Sequence, residues 1–176
     1  MSRRPTADPL GDGLRPWGIF ALLLLTATAA QSTLAYPLHA LTGAQPDFLL
    51  TVVLCTALLS DAATGCVLGF VGGLLSAALI GQTLGTLLVT RTIAGFLAGR
   101  FTARVFQANL LVIVLGVFIA SLAAYVLQAL SHPPRTGLTP WLQATLGGGI
   151  WNAALALPIA SLLRHSGWGG PSPRLR

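Results

Sequence analysis

One charge interrupts the long hydrophobic runs of this chain: Arg91, in the segment Leu-Val-Thr-Arg-Thr-Ile. A guanidinium at such a place either serves a function inside the membrane or snorkels along its own stem to an interface. That interface would lie about eight residues away, roughly 12 Å of helix. The carboxylates available to it are Asp8, Asp12, Asp47 and Asp61, and there is no Glu. Asp61 is the one expected nearby. A membrane hydrolase or phosphotransferase needs clustered carboxylates, a metal site or a nucleophile–base pair. The scattered aspartates form no D-x-x-D or H-E-x-x-H pattern. A coupled pump needs protonatable groups at mid-membrane, and none is visible. His39, His132 and His165 fall in expected loops or tails, too scattered for a site. Cys55 and Cys66 sit in or beside apolar runs and read as small buried hydrophobes. No Cys/His metal spacing occurs, so neither metal nor cofactor is expected, and the chain is read as non-enzymatic.

Two weaker signals concern contacts between helices. Gly65, Gly69 and Gly73 are spaced by four, and Gly81/Gly85 and Gly95/Gly99 repeat the spacing. Four residues apart on a helix is one face, so a second helix can approach closely there. The neighbour is either another helix of this chain or another membrane protein. In the second case Gly65, Gly69, Gly73, Gly95 and Gly99 are candidate docking residues. Gln128, Asn109, Gln143, Asn152, Thr90 and Thr92 read as hydrogen-bonding glue between helices. Asn152, beside Trp151, is also a candidate pocket residue.

The elements that position these residues follow from composition. The 176-residue chain is 54% hydrophobic and only 8% charged, against about 25% charged in a soluble domain. Such a chain cannot cover itself with charge, so its apolar surplus must face lipid. The net charge of +6 comes entirely from arginine. These arginines sit at the ends of hydrophobic runs and form no basic face interleaved with aromatics, which argues against nucleic acid.

The pattern predicts an all-α bundle of six membrane spans, at 17–34, 47–59, 64–80, 83–99, 107–130 and 141–163. Residues 1–16 and 164–176 are expected as cytoplasmic tails. The basic start and Ala27-Thr28-Ala29-Ala30 resemble a signal peptide with a cleavage site, but retention as the first span is expected, because further spans follow. Residues 35–46 and 131–140, punctuated by prolines, are expected as loops. Residues 47–99 extend over roughly 80 Å as helix, enough for three thin crossings. Three crossings there place eight of the ten arginines inside, among them Arg100, Arg104 and Arg164 as topology-setting residues. Both termini are then cytoplasmic, and Trp17 and Trp141 anchor opposite interfaces.

Residues 46–101 carry more than hydropathy. Pro46-Asp47 opens the second span. Gly65 to Leu75 reads G-x-x-x-G-F-x-x-G-L-L, followed by Gly81-x-x-x-Gly85 and by Gly95-Phe96-Leu97-Ala98-Gly99-Arg100. This stretch, with Ala30-Gln31-Ser32 as a shifted first-span pattern, resembles the rod shape-determining protein MreD family. The family usually has an Asp near the outer end of the third span, where this chain has Ser76. The resemblance implies a non-enzymatic scaffold in the bacterial cytoplasmic membrane, maintaining rod shape during lateral peptidoglycan synthesis. It implies an MreC-like partner and, through it, MreB, RodA and a class B penicillin-binding protein. The family's fold is also similar to the substrate-binding subunits of energy-coupling factor transporters. The alternative expectation is therefore a vitamin-type solute-binding subunit, with a closed polar pocket under residues 35–46 and 131–140.

Overall fold

The computed structural model describes residues 11–80, 84–105, 109–134, 137–166 and Trp168, with the backbone alone for 11–16, 80 and 102–105. The described residues form seven helices: α1 (Gly11–Thr33), α2 (Ala35–Thr42), α3 (Phe48–Leu58), α4 (Ala62–Ile80), α5 (Leu84–Val105), α6 (Leu110–Ser131) and α7 (Leu138–His165). No strand occurs among them.

Local chemistry sets the boundaries. Asp47 caps α3 by accepting from the Leu50 N–H, and Asn109 caps α6 by accepting from the Leu111 N–H. The Asp61 side chain accepts from the Thr64 N–H at 2.8 Å in the first turn of α4. Asn109 is thus a cap rather than glue between helices. Residues 35–42, expected as loop, form helix α2. Pro37 lies in its first turn, where a missing N–H costs nothing. The helix stops at Gly43, whose φ of 71° is the left-handed conformation that favours glycine. Residues 164 and 165, expected in the tail, continue α7. Trp168 packs back against Trp17 and Phe20, and its indole N–H donates to Ser60 Oγ at 2.7 Å. Trp17, expected as an interface anchor, is thus a packing partner of the C-terminal segment. Residues 11–16, expected in the N-terminal tail, form the first turns of α1 instead. Residues 1–10, 81–83, 167 and 169–176 and the Arg104 side chain lie outside what is described.

At the centre stands α3. Ten consecutive residues, Leu49 to Leu58, are buried, as suits a helix that is apolar all round. It touches α1, α4, α5, α6 and α7. At eleven residues it is only ~16 Å long, about half a hydrocarbon core. By length and composition three helices can cross a membrane: α4, α6 and α7. The count is four if α1 and α2, bent by 52° at their junction, form one span. α5 has the length, at 22 residues, but carries Arg91, Arg100 and Arg104. The outer helices present apolar side chains outward. On α6, Leu111, Leu115, Ile119 and Leu130 are exposed, while Ile113, Val117 and Ala124 are buried. In water such faces would aggregate; lipid accommodates them.

α4 and α5 form the closest pair, and glycine is the reason. A Cβ on Gly65 would strike the Gly95 carbonyl, one on Gly69 the Arg91 carbonyl, and one on Gly99 the Asp61 carbonyl. A Cβ on Gly73 would come within 2.8 Å of the Leu88 Cα. As residue numbers rise along α4 they fall along α5, so the two run antiparallel. This corrects the docking expectation. All five glycines are consumed by packing within the chain, and their faces are closed to another protein.

Candidate functional site

The Pro46-Asp47 corner converts the start of α3 into a polar junction. Four other helices reach it. From α1, Gln31 Oε1 accepts from the Phe48 N–H at 2.9 Å, and Gln31 Nε2 donates to the Pro46 carbonyl at 3.4 Å. From α7, Asn152 Oδ1 accepts from the Asp47 N–H at 2.9 Å. Asn152 Nδ2 donates in turn to Ser121 Oγ at 3.1 Å and to the Tyr125 hydroxyl at 3.0 Å on α6. From α5, Arg91 Nη2 lies 2.5 Å from Asp47 Oδ2. Asp47 Oδ1 is committed to the Leu50 N–H.

Asn152 is fully buried and Arg91 only 6% exposed. Buried polar groups are tolerated when hydrogen-bonded. Asn152 meets that condition completely, and Arg91 does not, because its Nη1 has no partner. Charge-assisted bonds of this kind are the strong ones in a low-dielectric interior.

Asp47 was not the carboxylate that sequence order favoured for Arg91. Asp61 instead serves α4 at the other end of α3. The physical reason is that α3 begins beside Arg91, about two turns into α5. A signal was present: Asp47 and Arg91 both lie in the leading part of helices that start from the same side.

Above this junction is a partly open cavity of about 400 Å³. α1, α4 and α6 end at it, and α3, α5 and α7 begin there, contributing Gln31, Ser76, Gln128, Asp47, Arg91 and Trp141. His39 from α2 and His132 from the end of α6 also line it. Two of the histidines judged too scattered for a site thus share one, because α2 carries His39 to the cavity wall. His132 Nδ1 also lies 3.2 Å from Thr86 Oγ1. His165 lies at the far end of α7. Ser76 is buried in the same wall, its hydroxyl donating to the Gly72 carbonyl at 2.7 Å.

The remaining polar candidates divide. Asn152 joins three helices. Gln128 lines the cavity. Thr90 and Thr92 bond carbonyls of their own helix, at Thr86 and Leu88, so they are not glue between helices. Gln143 is exposed on α7. Arg100 and Arg164 are exposed near the ends of α5 and α7. Cys55 is buried and Cys66 partly so, both as free thiols. Among the described residues no three of His, Cys, Asp and Glu group as metal ligands. Sequence reasoning missed Tyr125, and also Gly148, where a Cβ would meet the Tyr125 hydroxyl at 3.2 Å.

Lipid-compatible helices around a buried polar junction define a helical membrane protein. Comparison with models of protein families matches residues 13–166 to rod shape-determining protein MreD. The chain belongs to the MreD family, the rod shape-determining membrane proteins. No curated protein and no solved structure matches it.

Proposed function

We propose that this protein is a non-enzymatic scaffold of the bacterial cell-elongation machinery, sitting in the cytoplasmic membrane with six crossings and both termini inside. The family match over residues 13–166 carries the reading. The alternating direction of α1, α3, α4, α5, α6 and α7 about the cavity supports six crossings. So does the arginine asymmetry, which places the cavity on the outer side. The partners proposed are an MreC-like protein and, through it, MreB, RodA and a class B penicillin-binding protein. With the glycine face closed, partner contact falls to other surfaces.

The test is complementation. Expressed in a rod-shaped bacterium depleted of its own MreD, the protein is expected to restore rods and to co-purify with that organism's MreC. Cells that stay round despite normal membrane levels of the protein would overturn the reading.

The cavity favours one second reading, a solute-binding subunit of the energy-coupling factor type. It lies where that reading requires a pocket, bordered by residues 31–47 and 125–145. Mass spectrometry of small molecules extracted from the purified protein decides: a stoichiometric vitamin supports it, and none retires it.

A further inference from the structure

We propose that the cavity binds an oxyanion, a phosphate or carboxylate group, held by the Arg91 guanidinium. The inference rests on the cavity and the ion pair; it is independent of the scaffold reading and shares its cavity with the solute-binding one.

The first argument is an unmet bond. Arg91 is 6% exposed, lines the cavity, and has an Nη1 with no hydrogen-bond partner. A buried N–H donor without an acceptor carries a desolvation penalty, larger for a charged group. Asp47 does not remove it. One carboxylate oxygen takes Arg91 Nη2 and the other takes the Leu50 N–H. The carboxylate is thereby turned end-on to the guanidinium, leaving half of a planar fork that matches oxyanions well.

The second argument is the charge and donor content of the wall. Its one carboxylate is Asp47, against Arg91 and the imidazoles of His39 and His132. The Tyr125 hydroxyl, also in the wall, accepts from Asn152 Nδ2. Its own proton is left for another acceptor.

The third argument is size. About 400 Å³ falls in the range of small-molecule sites, roughly 300–1,000 Å³. That exceeds a bare phosphate and leaves room for an attached organic group beside Trp141, Leu79 and Leu87. The oxyanion therefore comes from a free solute or from the head group of an anionic lipid entering sideways.

The test uses the full chain in a neutral maltoside detergent and in lipid nanodiscs. Inorganic phosphate and acetate are titrated in detergent, with thermal unfolding as readout. Nanodiscs of phosphatidylcholine with and without phosphatidylglycerol are compared by native mass spectrometry for one retained lipid per chain. A rise in Tm with phosphate or acetate identifies a free oxyanion. Retention of phosphatidylglycerol without that rise identifies a lipid head group. Arg91→Gln is expected to weaken binding at least tenfold. Because that variant also breaks the pair with Asp47, Ala144→Trp is the deciding one. Ala144 is an exposed residue of the cavity rim, and a Trp there blocks the cavity while leaving the pair intact. Tenfold weaker binding in folded Ala144→Trp supports the proposal. No binding of any of the three probes by the unaltered chain, or undiminished binding in Ala144→Trp, overturns it and leaves Arg91 a structural residue.

Discussion

At the scale of single residues, the junction at Asp47 concentrates the polar interactions of the core. Removing one partner leaves another stranded. Arg91→Leu abandons the Asp47 carboxylate in the interior and is expected to cost about 3 kcal/mol, the usual penalty for breaking a buried pair from one side. Asp47→Ala strands Arg91 and also removes the cap of α3, worth about 1 kcal/mol more. Thermal unfolding in detergent measures both. The pairing itself is tested by the double variant Asp47→Asn/Arg91→Gln, expected to be more stable than Asp47→Ala alone. A double-variant loss as large as the two single losses added together would show that the two side chains are not coupled. Asn152→Leu removes the acceptor of the Asp47 N–H together with the donor to Ser121 and Tyr125. Its expected cost is about 1–3 kcal/mol, from polar groups left unpaired.

The scale of elements is dominated by the α4–α5 contact. Gly69→Ala drives a methyl into the Arg91 carbonyl. Overpacking of that kind costs about 1–3 kcal/mol, and Leu at the same position costs more. The expected outcome is a loss of folded, monodisperse protein. Phe70→Ala, one residue along and on an exposed position, is expected to leave the yield unchanged. If Gly69→Leu folds normally and loses only a partner, the packing assignment is wrong. Here the sequence was partly legible. Four-residue glycine spacing announced a close helix approach, but spacing is a property of one helix and is silent about its neighbour. The same limit hid the partner of Arg91. Hydropathy also marked 47–59 as apolar without separating a lipid-facing span from a core helix, since both exclude charge.

For the whole molecule, the orientation is the quantity to measure. Single cysteines placed at Pro134 and at Ser166, in a background with Cys55 and Cys66 replaced, would be labelled with a membrane-impermeant maleimide in intact cells. Labelling is expected at 134 and not at 166. The reverse pattern, or labelling of both, would overturn six crossings with both termini inside. Reversal of Arg100 and Arg104 to Asp is expected to weaken that orientation, because cytoplasmic arginines near the ends of spans hold it.

The sequence by itself determined the class: an all-helical membrane protein, with helices near the expected places and a family motif across residues 46–101. Composition and periodicity suffice for that, because the bilayer excludes charge and requires every backbone group to bond within its own segment. Only the tertiary structure decided that α3 is a buried half-length core helix and that residues 35–42 fold as a helix bringing His39 to the cavity. It alone turned the glycines inward and joined Asp47, Arg91, Asn152 and Tyr125 from four helices. Those contacts span 27 to 105 residues of chain. Their geometry depends on how deep each helix sits against its neighbours, which no local pattern encodes.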